Sequence, residues 1–308
     1  MLICLKYSFG MTRASANILL LLAGLIWGTA FVAQSTAMDN LGPLQFVGLR
    51  FLLAALVILP FALRERRIHN TKKLTKAHIP SLLVVSVAFT LGTVLQQYGL
   101  LVTSVTNAGF LTATYVVLTP ILVTLLFKGR PHFLIWPASL LTLFGIYLLG
   151  GGLTSLNSGD LLMLVCAIFW ALQVIFVGRL AHGSGRPITV AVIQFAFVGT
   201  VSVVLSLFFE TYSVQALQNA WFELFFTGVL SGGIAFTFQA FGQQWTTPSD
   251  AAIMLSSEAL FAALAAALIL GERIVGIGIV GCALIFSAIL LVEVGPHYIK
   301  SKRMAQAE

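Results

Sequence analysis

The stretch QYGLLVTSVTNAGFLTATYVVLTPILVTLLFKGR (97–130) returns 143 positions later as AFGQQWTTPSDAAIMLSSEALFAALAAALILGER (240–273). The letters differ, but the order of features is kept. A glycine (Gly99, Gly242) precedes a turn threonine (Thr103, Thr246), then a long apolar run, then an arginine that ends it (Arg130, Arg273). Each run is long enough for the roughly 20 residues that cross a bilayer as helix. Hydrocarbon admits only helices and closed barrels, because no water is present to satisfy the backbone. Alternating strands of about ten residues do not occur, so the runs read as helices. Working outward at the same shift, Asn17 falls on Asp160, Trp27 on Trp170, Gly42 on Gly185 and Gln96 on Gln239. Raw identity between the halves is what leucine-rich segments share by chance. The repeat rests instead on rare residues and turns that hold one register over about 135 positions.

Composition fixes the solvent. Of 308 residues, 59% are hydrophobic and 9% charged, and mean hydropathy is +1.00. A water-soluble surface takes about 25% charged residues, so most of this chain is solvated by lipid. A cytosolic enzyme, a secreted domain and a disordered regulator are excluded. Ten spans are expected, at about 17–37, 43–63, 79–100, 104–127, 132–150, 160–180, 187–209, 220–242, 248–270 and 274–294. Gly42-Pro43, Gly129-Arg130-Pro131, Gly150-Gly151-Gly152, Gly183 to Pro187 and Pro248 supply the turn signals. No connecting segment has room for a soluble domain.

Cytoplasmic loops collect lysine and arginine. With the N-terminus inside, fifteen of the seventeen fall on the inner side, leaving Arg273 outside and Arg50 within a span. Both tails, 1–16 and 296–308, are therefore expected in the cytoplasm. The same bias accounts for the net charge of +7, and no basic groove for nucleic acid is formed. Basic residues before the first run imitate a signal peptide, but the run is longer than a usual signal core and recurs inside the chain, so no cleavage is expected. Cys4, Cys166 and Cys282 have no CxxC or metal spacing and read as small packing residues.

The spans divide five and five, as 17–152 and 160–295. An odd number per copy turns the second copy upside down, which Arg130 inside and Arg273 outside reflect. Inverted repeats are the architecture of secondary transporters, with the substrate site near the midplane between the copies.

The two quoted stretches, together with LLAGLIWGTAF (21–31), resemble the repeat hallmark of EamA-type members of the drug/metabolite transporter superfamily. Leu270-Gly271-Glu272 is a specific element of that likeness, which covers nearly the whole chain. The resemblance implies an all-α membrane fold of ten helices in two inverted five-helix repeats. It also implies a central cavity lined by spans one, three, four, six, eight and nine, and export of amino acids or other small metabolites. Two positions depart from the pattern. Lys128-Gly129-Arg130 has no glutamate to match Glu272, and the proline often following the ninth-span glutamate is Ala259, so no kink is expected there. Pro120 keeps the equivalent feature in the fourth span.

Charge in mid-bilayer costs about 2.5–3.5 kcal/mol on insertion scales, so each such residue needs a reason. Glu258 lies near the middle of the ninth span, opposite Tyr115 in the repeat. It is either a proton-coupling or substrate-amine site, or a carboxylic acid bonded to Ser256, Ser257 or a nearby carbonyl. Arg50, two turns into the second span, either binds a substrate carboxylate or pairs with an acid, or else snorkels or caps neighbouring helices. Its repeat mate is Ile193 and the second span is not a cavity helix in the family picture, so it is read as structural. Asp250 suits a helix N-terminus, matched by Asn107. Glu223, Glu272, Arg273 and Glu293 lie at span ends and read as solvated.

Uncharged polar residues fall on shared faces. Trp27 and Gln34 lie seven apart, Trp170 and Gln173 three apart, and Gln96 and Gln239 are repeat mates. Tyr115 aligns with Thr112 and Thr119. The substrate cavity is therefore expected to hold Trp27, Gln34, Gln96, Tyr115, Trp170, Gln173, Gln239 and Glu258. Interhelical bonding is the competing use, worth about 0.6 kcal/mol per residue on average. Small residues at 262–267 and Gly276, Gly278 and Gly281 read as close helix packing, or as a dimer face, with a monomer favoured.

An enzyme would need a buried nucleophile, a metal cluster or paired acids in one cavity. All five histidines lie in loops or at span ends, and no HExxH, GxSxG or GxxxxGK occurs. No catalytic residue, metal ligand or cofactor is expected. A channel would show charge rings or a symmetric backbone filter, and neither is present. The sequence thus points to a multi-pass secondary transporter of a bacterial inner membrane, exporting a small molecule. An uncoupled facilitator, a lipid-translocating protein and an assembly subunit stay open as alternatives.

Overall fold

The computed structural model describes residues 11–68, 74–149, 156–273 and 276–305, and every regular element among them is helical. The first half comprises α1 (Arg13–Thr36), α2 (Pro43–Ile68), α3 (Ile79–Gly99), α4 (Val105–Thr112), α5 (Tyr115–Phe127) and α6 (Ile135–Leu149). The second comprises α7 (Ser158–Ser184), α8 (Pro187–Phe209), α9 (Val214–Asn219), α10 (Trp221–Phe225), α11 (Phe236–Gly242), α12 (Pro248–Leu255), α13 (Glu258–Ala265) and α14 (Gly276–Ala305). Wider π-type turns at Phe226–Ala235 and Ala266–Leu270 join α10 to α11 and extend α13. Cys4, Lys6, Lys72, Lys73 and the Gly150-Gly151-Gly152 turn lie outside the described residues.

Eight helical stretches, from Arg13–Asp39 to Pro248–Leu270, are long and apolar enough to cross a membrane. At the fifth and tenth expected positions stand shorter apolar helices, Ile135–Leu148 and Gly276–Val292. Large apolar side chains such as Leu56, Phe208 and Leu268 point outward, as a lipid-facing surface allows.

The helix ends show how the halves are tied. Proline opens both α2 and α8, where its missing N–H is an orphan anyway. The remaining orphan donors are met by carboxylates from the other helix. Glu65, near the end of α2, accepts from Ile188 N (3.2 Å) and Thr189 N (2.9 Å) of α8. Glu210, just past α8, accepts from Leu44 N (2.9 Å) and Gln45 N (2.7 Å) of α2. Each half caps the other, at roughly 0.5–2 kcal/mol per cap. Glu272 does the same for α4, accepting from Val105 N (3.0 Å) and Thr106 N (3.1 Å). It is therefore a cap, not a solvated end, and Glu223 likewise accepts from Thr36 Oγ1 at 3.2 Å. Hydropathy cannot separate a carboxylate in water from one turned onto a neighbour's N-terminus. At α12 the cap is Thr247, which accepts from Asp250 N, while the Asp250 carboxylate pairs with Arg13 at 3.3 Å.

Helix contacts come in matched sets. The second and seventh spans, α2 and α8, pack on each other, as do α6 and α14. Where α3 lies along α7, α1 lies along the eighth span; where α4 and α5 meet α7, α12 and α13 meet α1.

The expected fourth and ninth spans are both broken, at Ala113-Thr114 and Ser256-Ser257, positions 143 apart. The helix at the expected ninth position is thus interrupted without the proline. At each break a hydroxyl bonds back along the helix: Thr114 Oγ1 donates to Leu111 O (2.6 Å) and Ser256 Oγ to Ile253 O (2.7 Å). Around each hydroxyl the backbone tightens to i→i−3 bonds, Thr114 N to Leu111 O and Ser257 N to Met254 O, both 3.3 Å. Such back-bonding competes with the helical ladder and bends it. Another difference lies at the C-terminus, where α14 runs on through 296–305. Hydropathy stops with the apolar run, but lysine, arginine, methionine and alanine propagate a helix beyond it.

Candidate functional site

The two breaks aim at one place. Tyr115 starts α5 and Glu258 starts α13, so equivalent half-helix beginnings bring a phenol and a carboxyl to the same cavity. About 500 Å³ of space free of atoms lies between these side chains, its open side included. Trp27, Phe31 and Gln34 line it from α1, Arg50 and Phe51 from α2, and Thr93 and Gln96 from α3. Thr112 and Tyr115 come from the fourth span, and Trp170, Gln173 and Val174 from α7. Ser231, Phe236 and Gln239 of the eighth span complete it with Glu258.

All eight residues singled out from the sequence meet here. In an apolar span the polar side chains must turn inward, so membership of one interior was legible once the faces were known. The six spans implied by the family resemblance all contribute, and α2 is an addition. Arg50 neither snorkels nor caps a helix: it is 3% exposed, and its guanidinium carbon sits 5.0 Å from the Phe46 ring centre and 4.8 Å from that of Phe51. It forms no ion pair with Glu258.

A hydrogen-bonded frame fixes the amides. Gln96 Nε2 donates to Gln34 Oε1 (3.2 Å), while Gln96 Oε1 accepts from Trp170 Nε1 (2.8 Å). Across the cavity Gln173 and Gln239 exchange two bonds, at 3.2 and 3.0 Å. Trp27 Nε1 donates to Ser231 O at 3.2 Å, a carbonyl within the π-type turns. Wide turns of this kind recur at functional sites. Here Gly228 and Gly232 also let α2 approach, a Cβ on Gly232 falling 2.6 Å from Ala54 Cβ.

Between the indoles stands Phe236, its ring 4.5 Å from Trp27 and 6.1 Å from Trp170, with Phe51, Phe89 and Phe195 packed behind it. Tyr115 Oη makes no hydrogen bond of ordinary geometry, and it shares the cavity lining with Glu258. The arrangement offers flat apolar walls, a ring of neutral amides, one acid and one guanidinium. Among the described residues no group of His, Cys, Asp or Glu is placed to hold a metal.

Phe51, Val174, Ser231 and Phe236 were missed in the sequence. One phenylalanine among 24 carries no polar signal, and Ser231 enters through its carbonyl. The sequence signal that could have found it is Ser231-Gly232-Gly233, two glycines inside an apolar run.

The EamA-like transporter family model matches residues 14–151 and again 157–294. A curated relative from Archaeoglobus fulgidus, named an uncharacterized transporter, is 32% identical over 284 residues, covering 92% of this chain and 87% of its own. YedA of Escherichia coli K12, named an uncharacterized inner membrane transporter, is 29% identical over 163 residues, 51% of each chain. A solved structure, described only as the crystal structure of a protein, has a TM-score of 0.76 with 94% of this chain and 99% of its own covered. At 16% identity it shares the fold alone.

Proposed function

Because this chain belongs to the EamA-like transporter family, we propose that it is a secondary active exporter of amino acids or similar small metabolites. In this reading ten spans form two inverted five-helix repeats, 17–152 and 160–295, with both termini in the cytoplasm of a bacterium and the chain in its inner membrane. The repeats rock about the central cavity, so that it opens to one side and then the other. Trp27, Gln34, Gln96, Tyr115, Trp170, Gln173 and Gln239 contact the solute, and Glu258 exchanges a proton against its release.

The observation that carries this is the paired break of the fourth and ninth spans beside one buried polar cavity. Half-helices starting at a mid-membrane cavity are the recurring form of transporter sites. A channel would gain nothing from a closed amide frame, and an enzyme would need a second acid, a nucleophile or a metal.

The test is uptake of a labelled amino-acid and metabolite panel into inverted membrane vesicles, with and without an acid lumen. The expected result is accumulation of one chemical class, raised by the pH gradient. Accumulation indifferent to the gradient would make the protein a facilitator, and no flux of any solute would sink the transport reading.

A further inference from the structure

Arg50 is the one charge in the cavity wall that the coupling scheme leaves unused. Its Nε has no hydrogen-bond partner, and no carboxylate of the described residues lies within ion-pair range of it. Phe46 and Phe51 attract the guanidinium through their ring faces, but rings cancel no charge. A cation withdrawn from water and left unpaired is strongly unfavourable, and an oppositely charged group restores the balance.

The fold's own symmetry separates this residue from the scaffold. Contacts that hold the second and seventh spans together, such as the Glu65 and Glu210 caps, recur in both halves. The charges in the cavity do not: Ile193 stands where Arg50 would repeat, and Tyr115 where Glu258 would. Each half supplies one charged group to the shared space and an uncharged one at the mate position. Side chains kept for packing need no such asymmetry, whereas a solute with a head and a tail does.

We infer that Arg50 anchors the anionic head of the solute, and that the cavity selects small amphipathic carboxylates whose apolar body lies against Phe51, Phe236 and the two indoles. The inference rests on the transporter reading and narrows it. Guanidinium suits a planar oxyanion because its N–H groups form a rigid fork that binds two oxygens together. A lysine would supply the charge without that geometry.

The test uses the full-length protein in lipid nanodiscs, with tryptophan emission as the signal, since Trp27 and Trp170 line the cavity. The probes are 3-phenylpropanoate and hexanoate, each titrated against its own amide at neutral pH. We expect at least one carboxylate to bind about tenfold or more tighter than its amide. Arg50→Met should bring that ratio to about one, and Arg50→Lys should keep part of it. Elution as a single species confirms that the variants fold.

Equal binding of acid and amide, a preference that survives Arg50→Met, or no binding of either carboxylate would overturn the inference. Solute flux without carboxylate preference overturns it while leaving the transporter reading in place. Arg50-dependent carboxylate binding without flux of any solute would do the reverse.

Discussion

In inverted vesicles with an acid lumen, Glu258→Gln is expected to abolish uphill accumulation, down to the protein-free baseline. Exchange of labelled for unlabelled solute at equal concentrations should persist. The two readouts separate because they ask different things of position 258. Exchange needs only that the loaded cavity reorient, and glutamine keeps the shape and polarity of the side chain. Uphill movement also needs a group that takes up a proton on one side and releases it on the other. Among the residues lining the cavity, Glu258 alone is an acid. It lies at the start of α13, where the broken ninth span meets α1, so reorientation changes its surroundings. If Glu258→Gln retains gradient-driven accumulation, the coupling role is wrong and the carboxyl is structural. If exchange is lost as well, Glu258 holds the solute itself.

The second large effect falls on packing. A Cβ added to Gly28 would lie 2.6 Å from the Glu258 carbonyl oxygen and 2.8 Å from Ala262 N. Both are backbone atoms, so no side chain can swing aside, and α1 and α13 must separate. Gly109 of α4 approaches the same place, its added Cβ 2.7 Å from Ala262 Cβ. Overpacking of this kind costs about 1–3 kcal/mol. Gly28→Ala is expected to lower stability in a reversible detergent titration by that amount, and to reduce exchange together with it, because Glu258 shifts with α13. Gly276→Ala is the control, since a Cβ there meets nothing within 4 Å. Equal stability of the two variants would show that the close approach of α1 to α13 is not required.

How far the sequence reached can be seen at these same positions. The repeat register was legible because tryptophans, glutamines and turn glycines are scarce in apolar spans, so their coincidence at one shift carries weight. The cavity residues were legible because lipid excludes polar side chains from the outer surface. The breaks were not, because Thr114 and Ser256 choose between the ladder and a local carbonyl by a fine balance, which composition cannot express. Glu272 was placed in the right motif and given the wrong surroundings, because its partners, Val105 and Thr106, lie 167 and 166 residues away. The place of Arg50 in the cavity wall was hidden for a related reason. Nothing in the second span itself shows that a helix expected at the periphery turns one face to the cavity.

Opening of a single cavity to both sides is the central claim, and Thr93 offers the most direct test of it. Thr93 lines the cavity from α3, is fully buried, and donates only to the carbonyls of its own helix. A Thr93→Cys variant, in a background where Cys4, Cys166 and Cys282 are serine, is exposed to a small membrane-impermeant thiol reagent. Right-side-out and inverted vesicles are treated separately. Modification is expected from both faces, slowed in both by a transported solute. Modification from one face only, whatever the solute or gradient, would contradict it.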